Sequence, residues 1–265
     1  VGTGGSLGNG SSGGSSPRAW ERPFKAGAWE AVDDPAELLE EGLRGLPPDL
    51  RANPKVKAFM EKELGGKIAQ NLADGFRHFI NGPYSIMIKQ RSDGTISEKV
   101  LDLVKRRVEL LHEKFPIVAK SLSIVVTRNS IMNSPNTLGA TLLSRVDDYT
   151  NTMWLREDTL ESNNEIRYAA RSAFFQNSDK GIGIGDWVVT HEWGHASDKR
   201  LDTPEPPELF RSWLNQPYGV GLSEYGRTSP EEAYAESFAD WFTSGGKTQN
   251  PATLAYAVFH GWEVP

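Results

Sequence analysis

The sequence contains no cysteine. That excludes disulfides, thiolate catalysis and cysteine-bound zinc, so any metal must be held by His, Asp or Glu. It leaves the redox compartment open, because a cysteine-free chain folds equally well inside or outside a cell. No apolar run approaches the roughly eighteen residues that a membrane span requires. The first residues are mostly Gly and Ser, with neither a charged start nor an apolar stretch, so no signal peptide is visible. Localisation is left undetermined between a soluble, an exported and a virion-associated protein. Excess positive charge is also lacking. The formal net charge of −6 argues against a nucleic-acid partner, because phosphate binding wants a basic face. Histidine is scarce, with five in the chain, which makes the place of each informative.

What remains is ordinary for a globular protein. Apolar residues make up 38% and charged residues 24%, and 265 residues suffice for one large domain or two small ones. Residues 1–17 are nearly all Gly, Ser, Asn and Thr and read as a flexible tail or linker to a larger polypeptide or particle. The first residue is Val, which suits a processed product or a fragment. Residues 18–95 read as a mainly helical segment. One helix starts at Asp34-Pro35, and a second runs from about Pro54 to Phe79. Residues 96–265 read as a mixed α and β domain. A strong helix spans Ser97 to Phe115, with Val100, Leu101, Val104, Val108, Leu110 and Leu111 on its apolar side and Lys105-Arg106-Arg107 on its solvated side. Strands are expected at Ser85 to Lys89, Leu122 to Thr127, Thr141 to Val146 and Thr150 to Leu155, and a helix at Asn163 to Phe175. The prolines at 204, 206, 207 and 217 suggest an irregular stretch, and Ala252 to Val264 a last helix with a short end.

His191-Glu192-Trp193-Gly194-His195 is an HExxH pattern on a helix expected from Asp186, as N-cap, to about Lys199. Residues four apart lie one above the other on a helix face, so both imidazoles can reach one ion. Glu192 points toward the same side and can deprotonate a metal-bound water without ligating the metal. A plain helix that carries two histidines by chance is the alternative. Burying two imidazoles and a carboxylate is costly unless each finds a partner, and a metal would supply one.

Zinc needs a third protein ligand if it is to keep a position open for water. A third His six residues beyond His195 is absent, because position 201 is Leu. A second helix, with Ser229 as N-cap and Pro230 at its first position, places Glu232 and Glu236 on one face. Either could ligate, with the other orienting a histidine. In the competing interpretation Glu232 closes a capping box with Ser229 and Glu236 is exposed.

His191-Glu192-Trp193-Gly194-His195-Ala196-Ser197-Asp198, then Tyr225-Gly226-Arg227-Thr228, then Glu232-Ala233-Tyr234-Ala235-Glu236-Ser237-Phe238 together resemble the catalytic domains of anthrax lethal factor and its toxin relatives. The similarity covers about fifty residues, Trp187 to Phe238. It implies a zincin-like metallopeptidase domain with a small twisted sheet, an edge strand that binds extended peptide, an active-site helix and C-terminal helices. It implies Zn2+ held by His191, His195 and Glu232, with Glu192 as general base. Tyr225 would stabilise the oxyanion, and Glu236 and Asp198 would support the site from behind the ligands.

The expected activity is therefore zinc-dependent hydrolysis of peptide bonds in a protein or peptide substrate, as a toxin, effector or virion-associated module. The alternative is a non-catalytic structural or interaction protein, such as a phage particle component, that keeps a zincin fold. Retention of Glu192 and Tyr225 together favours the enzyme. Hydrolysis of a non-peptide amide, or another divalent ion, is compatible with the same ligands.

Overall fold

The computed structural model describes residues 23–44, 46, 48–117, 121–128, 137–142, 151–162, 182–198, 207–216 and 221–265. The expected tail at 1–17, the helix at 163–175 and the turn at 147–148 lie outside the described residues. Among the described residues the fold is α+β, with one six-stranded sheet and nine helices. No helix among them is long and apolar enough to cross a membrane.

The chain enters through β1 (Glu30–Val32), then α1 (Pro35–Arg44), α2 (Pro48–Ala52) and α3 (Pro54–Ala73). Asn53 caps α3 by accepting from the amides of Lys55 and Val56, and Pro54 takes the first helical turn, where its missing N–H costs nothing. The sequence spacing predicts a helix to Phe79, but α3 stops at Ala73 and β2 (Phe76–Asn81) follows. Gly75, at φ 80°, lets the chain leave the helix, and its amide donates to the Leu72 carbonyl. A two-residue loop with Gly82 at φ 57° joins β2 to β3 (Tyr84–Lys89) as a hairpin.

From β3 the chain crosses through α4 (Glu98–Lys114) to β4 (Leu122–Thr127), which runs parallel to β3. Next come β5 (Gly139–Leu142) and β6 (Asn151–Arg156), parallel to β4 on one side and antiparallel to β5 on the other. The order is β1-β2-β3-β4-β6-β5. The sheet therefore runs across the expected boundary at residue 95. Strands β1 to β3, from the segment expected to be mainly helical, make half of it, and β3 needs β4 for its hydrogen bonds.

One sheet face is a row structure set by register. Tyr84 sits opposite Leu122, Ile86 opposite Ile124 opposite Met153, and Ile88 opposite Val126 opposite Leu155. All are essentially fully buried, together with Val100, Leu101, Val104, Val108 and Leu111 of α4. Leu103 is buried and Leu110 exposed, which rotates the apolar stripe of α4 slightly from its expected place. Arg107 is also drawn inward from the expected solvated side, to an ion pair with Asp186 at 2.8 Å.

After α5 (Glu157–Glu161), the helix α6 (Ile184–Ser197) runs through the interior, buried on nearly every side. It packs on α4, β5, β6 and α8 (Pro230–Thr243), and the chain closes with α9 (Pro251–His260). The cap of α6 is Gly183 rather than Asp186, which lies in the first turn, where its charge suits the helix dipole and meets Arg107. Part of the proline-bearing stretch expected to be irregular forms α7 (Pro207–Leu214), which begins at a proline as helices often do.

Candidate metal centre

The crossing of α6 and α8 builds the site. A Cβ at Gly194 would lie 3.1 Å from the Ala235 Cα and 3.2 Å from the Phe238 ring, so the two helices approach as closely as a glycine permits. Trp193, the preceding residue, is wholly buried and donates from its indole nitrogen to the Phe115 carbonyl at 2.8 Å, which fixes α6 against the end of α4. Ser229 caps α8 by accepting from the Glu232 amide at 3.2 Å. That bond is half of the capping box, but the Glu232 side chain turns away from the cap and toward α6.

Three side-chain atoms then converge. The Nε2 atoms of His191 and His195 are 3.2 Å apart. Glu232 Oε2 lies 3.1 Å from the first and 3.4 Å from the second. Among the described residues these three form the one group able to hold a metal ion. Ligand atoms held at about 2.0–2.2 Å on a tetrahedral ion are about 3.3–3.6 Å apart. The observed triangle is within about 0.2 Å of that edge length, and its donors, two imidazoles and a carboxylate, suit zinc. The residues fit the ion. Trp187, one turn earlier on α6, stacks on the His191 ring at 5.0 Å.

Glu192 is buried beside the triangle but not in it. Its Oε2 accepts from the Thr141 hydroxyl on β5 at 2.7 Å. Burial raises its pKa, the charge of Glu232 adds to the rise, and the two histidines and Thr141 oppose it without reversing it. For Glu232, burial pushes the carboxyl upward, yet its hydrogen bonds to His191 and His195 and their charges prevail and hold it well below the usual carboxylate range. For His195, burial favours the neutral ring, and the bond to Glu232 with the charges of Glu192, Glu232 and Asp198 outweighs it, so the pKa rises. A shared cation would take over the role of these protons.

Tyr225 lies at the mouth, partly exposed, and its hydroxyl donates to Glu232 Oε1 at 2.9 Å. Burial of the phenol and the neighbouring Glu232 raise its pKa, which keeps the proton on the oxygen at neutral pH. The residues around it secure the loop. Thr228 Oγ1 donates to the Tyr225 carbonyl at 2.6 Å, and the Arg227 guanidinium donates to the carbonyls of Leu222, Leu214 and Gln216. Glu236, one turn beyond Glu232 on α8, accepts from the Ser223 hydroxyl, and a Cβ at Gly226 would strike its Oε2. The carboxyl expected to orient a histidine thus holds the base of the Tyr225 loop. Burial raises its pKa to about 8, and Glu232 adds to the effect. Its Oε1 is buried with no partner among the described residues. Asp198 is the C-cap of α6, its amide directed to the His195 carbonyl and its charge near enough to act on that ring.

All seven expected site residues therefore gather at one place. Gly139, Thr141 and Ser223 join them without having been marked by any pattern, because their roles depend on which strand and loop meet α6 and α8. No family model matches the chain, and neither a curated protein nor a solved structure matches it.

Proposed function

We propose that this chain is a zinc-dependent endopeptidase of zincin type, with His191, His195 and Glu232 as ligands and Glu192 as general base. The observation that carries the reading is the convergence of three ligand atoms within 3.4 Å of one another, with a fourth buried group, the carboxylate of Glu192, beside them and bonded elsewhere. A site built only to hold a metal has no use for that fourth group. Bound there, zinc would acidify a coordinated water and polarise the carbonyl to be cleaved.

The chain's own residues supply the rest. Glu192 removes the proton of the attacking water and returns it to the leaving amine nitrogen. Tyr225 has one O–H, donated to Glu232 Oε1 in this structure, and rotation of that hydroxyl would turn it from Glu232 to the oxyanion that forms on the former carbonyl oxygen. Outermost strand of the sheet among the described residues, β5 passes next to Glu192 and offers its main-chain edge to an extended peptide.

The test is cleavage of a random peptide library by the zinc-loaded protein and by Glu192→Gln. The variant should keep its zinc and lose about 10²–10⁴-fold in rate. A wild-type protein that binds zinc and cleaves nothing in the library would contradict the endopeptidase reading and favour a non-catalytic protein of the same fold.

A further inference from the structure

We infer that strand β5 is the seat of Glu192, with Thr141 as its positioning residue and Gly139 as the gap that admits its carboxylate. The inference rests on the peptidase reading for its catalytic meaning, but the seat itself is a matter of contacts. The Thr141 hydroxyl lies 2.7 Å from Glu192 Oε2 and 3.1 Å from the Glu192 carbonyl oxygen. Having one proton, it gives that proton to the nearer and more basic carboxylate oxygen. Two residues earlier on the same face of the strand, Gly139 lies under the other oxygen. A Cβ there would fall 2.7 Å from Oε1, 2.9 Å from Cγ and 3.1 Å from Cδ of Glu192. These three nearest atoms all belong to the Glu192 side chain, so an added methyl would press first on that side chain.

The two contacts divide the carboxylate. Oε2 is engaged by Thr141, and Oε1, the more basic oxygen for want of that bond, accepts the proton as the O–H bond of the attacking water breaks. A buried carboxylate next to two histidines could otherwise swing into the ligand triangle and compete with Glu232. The bond to β5 holds it out of the triangle and aims it in one direction. Because the strand that seats Glu192 is also the sheet edge beside the site, docking of an extended chain on β5 would act directly on the position of the base.

The test uses Thr141→Val, which keeps the shape and removes the hydroxyl, Thr141→Ser, which restores it, and Gly139→Ala. Zinc-loaded Thr141→Val should lose about tenfold or more in kcat, with KM and zinc content unchanged, and Thr141→Ser should recover most of the loss. Gly139→Ala should show the same split. In parallel, urea unfolding of the metal-free chain with Thr141→Val, Glu192→Ala and the double variant should be non-additive by about tenfold in the unfolding constant, as for a hydrogen bond to a charged group. Additive unfolding, or a Thr141→Val enzyme with normal kcat, would overturn the inference. If the wild-type protein cleaves no peptide, the unfolding cycle alone decides whether β5 seats Glu192, and the peptidase reading fails separately.

Discussion

The two ends of the sheet are built on different terms. At the β1 end, the contacts are of the ordinary kind: a small core of Val32, Leu38, Ile68 and Ile80, and ion pairs such as Lys57–Glu61 and Arg77–Asp33 with both partners substantially exposed. At the β5 end, His191, Glu192 and Glu236 are buried, and glycines at 139, 194 and 226 allow contacts that a Cβ would obstruct. Burying ionisable groups costs stability unless each is paired or hydrogen-bonded, and here Thr141, Glu232 and Ser223 supply part of that pairing. The contrast is between an end held by apolar and exposed ionic contacts and an end where ionisable side chains are buried around closely approaching backbone.

That comparison can be broken by substitution. The largest expected effect on stability is at the β1 end. Leu38→Ala should lower unfolding free energy by about 2–5 kcal/mol and leave zinc affinity unchanged in equilibrium dialysis of the folded protein. A fall in affinity would mean that the two ends are coupled. Gly194→Ala should cost about 1–3 kcal/mol by overpacking, and it should also weaken zinc binding, because α8 must move away from α6 and take Glu232 with it. Stability loss with unchanged affinity would show that the helix crossing does not position the third ligand.

A pH series separates the ends further. Glu236 has a folded pKa of about 8, above its ordinary carboxylate value, so the folded state holds the proton more tightly than the unfolded one. Its penalty is absent in acid and grows as pH rises from the ordinary value through about 8. Thermal unfolding of the metal-free chain should lose up to about 1.4 kcal/mol per pH unit in that window from this group. Glu236→Gln should flatten that decline, and an unchanged slope would assign the loss to another group. The smallest effect should come from Lys57→Ala at the other end, within about 0.5 kcal/mol and independent of zinc. A larger value there would mean that the surface pairs of α3 contribute more than their exposure suggests.

Much of the site was legible because it is local. His191, Glu192 and His195 are set by helical spacing alone, and Ser229-Pro230 marks the start of α8 regardless of tertiary context. Glu232 and Glu236 could not be told apart by spacing, since both lie on one face. Only the approach of α6 across Gly194 brings Glu232 to His191 and His195 and leaves Glu236 at the Tyr225 loop. Leu72 and Phe76 continue the three- and four-residue helical spacing into β2, and the break depends on Gly75 adopting a positive φ. The contribution of Thr141 was out of reach, because nothing in its neighbourhood in sequence says that β5 will lie against α6.

The most direct test of the account is zinc content by elemental analysis, on the wild-type chain and on Glu232→Ala after equilibration with limiting zinc. The account predicts about one zinc per chain in the wild type and a large loss in the variant. Absence of zinc from the wild type, or full retention by Glu232→Ala, would contradict the proposed ligand triangle.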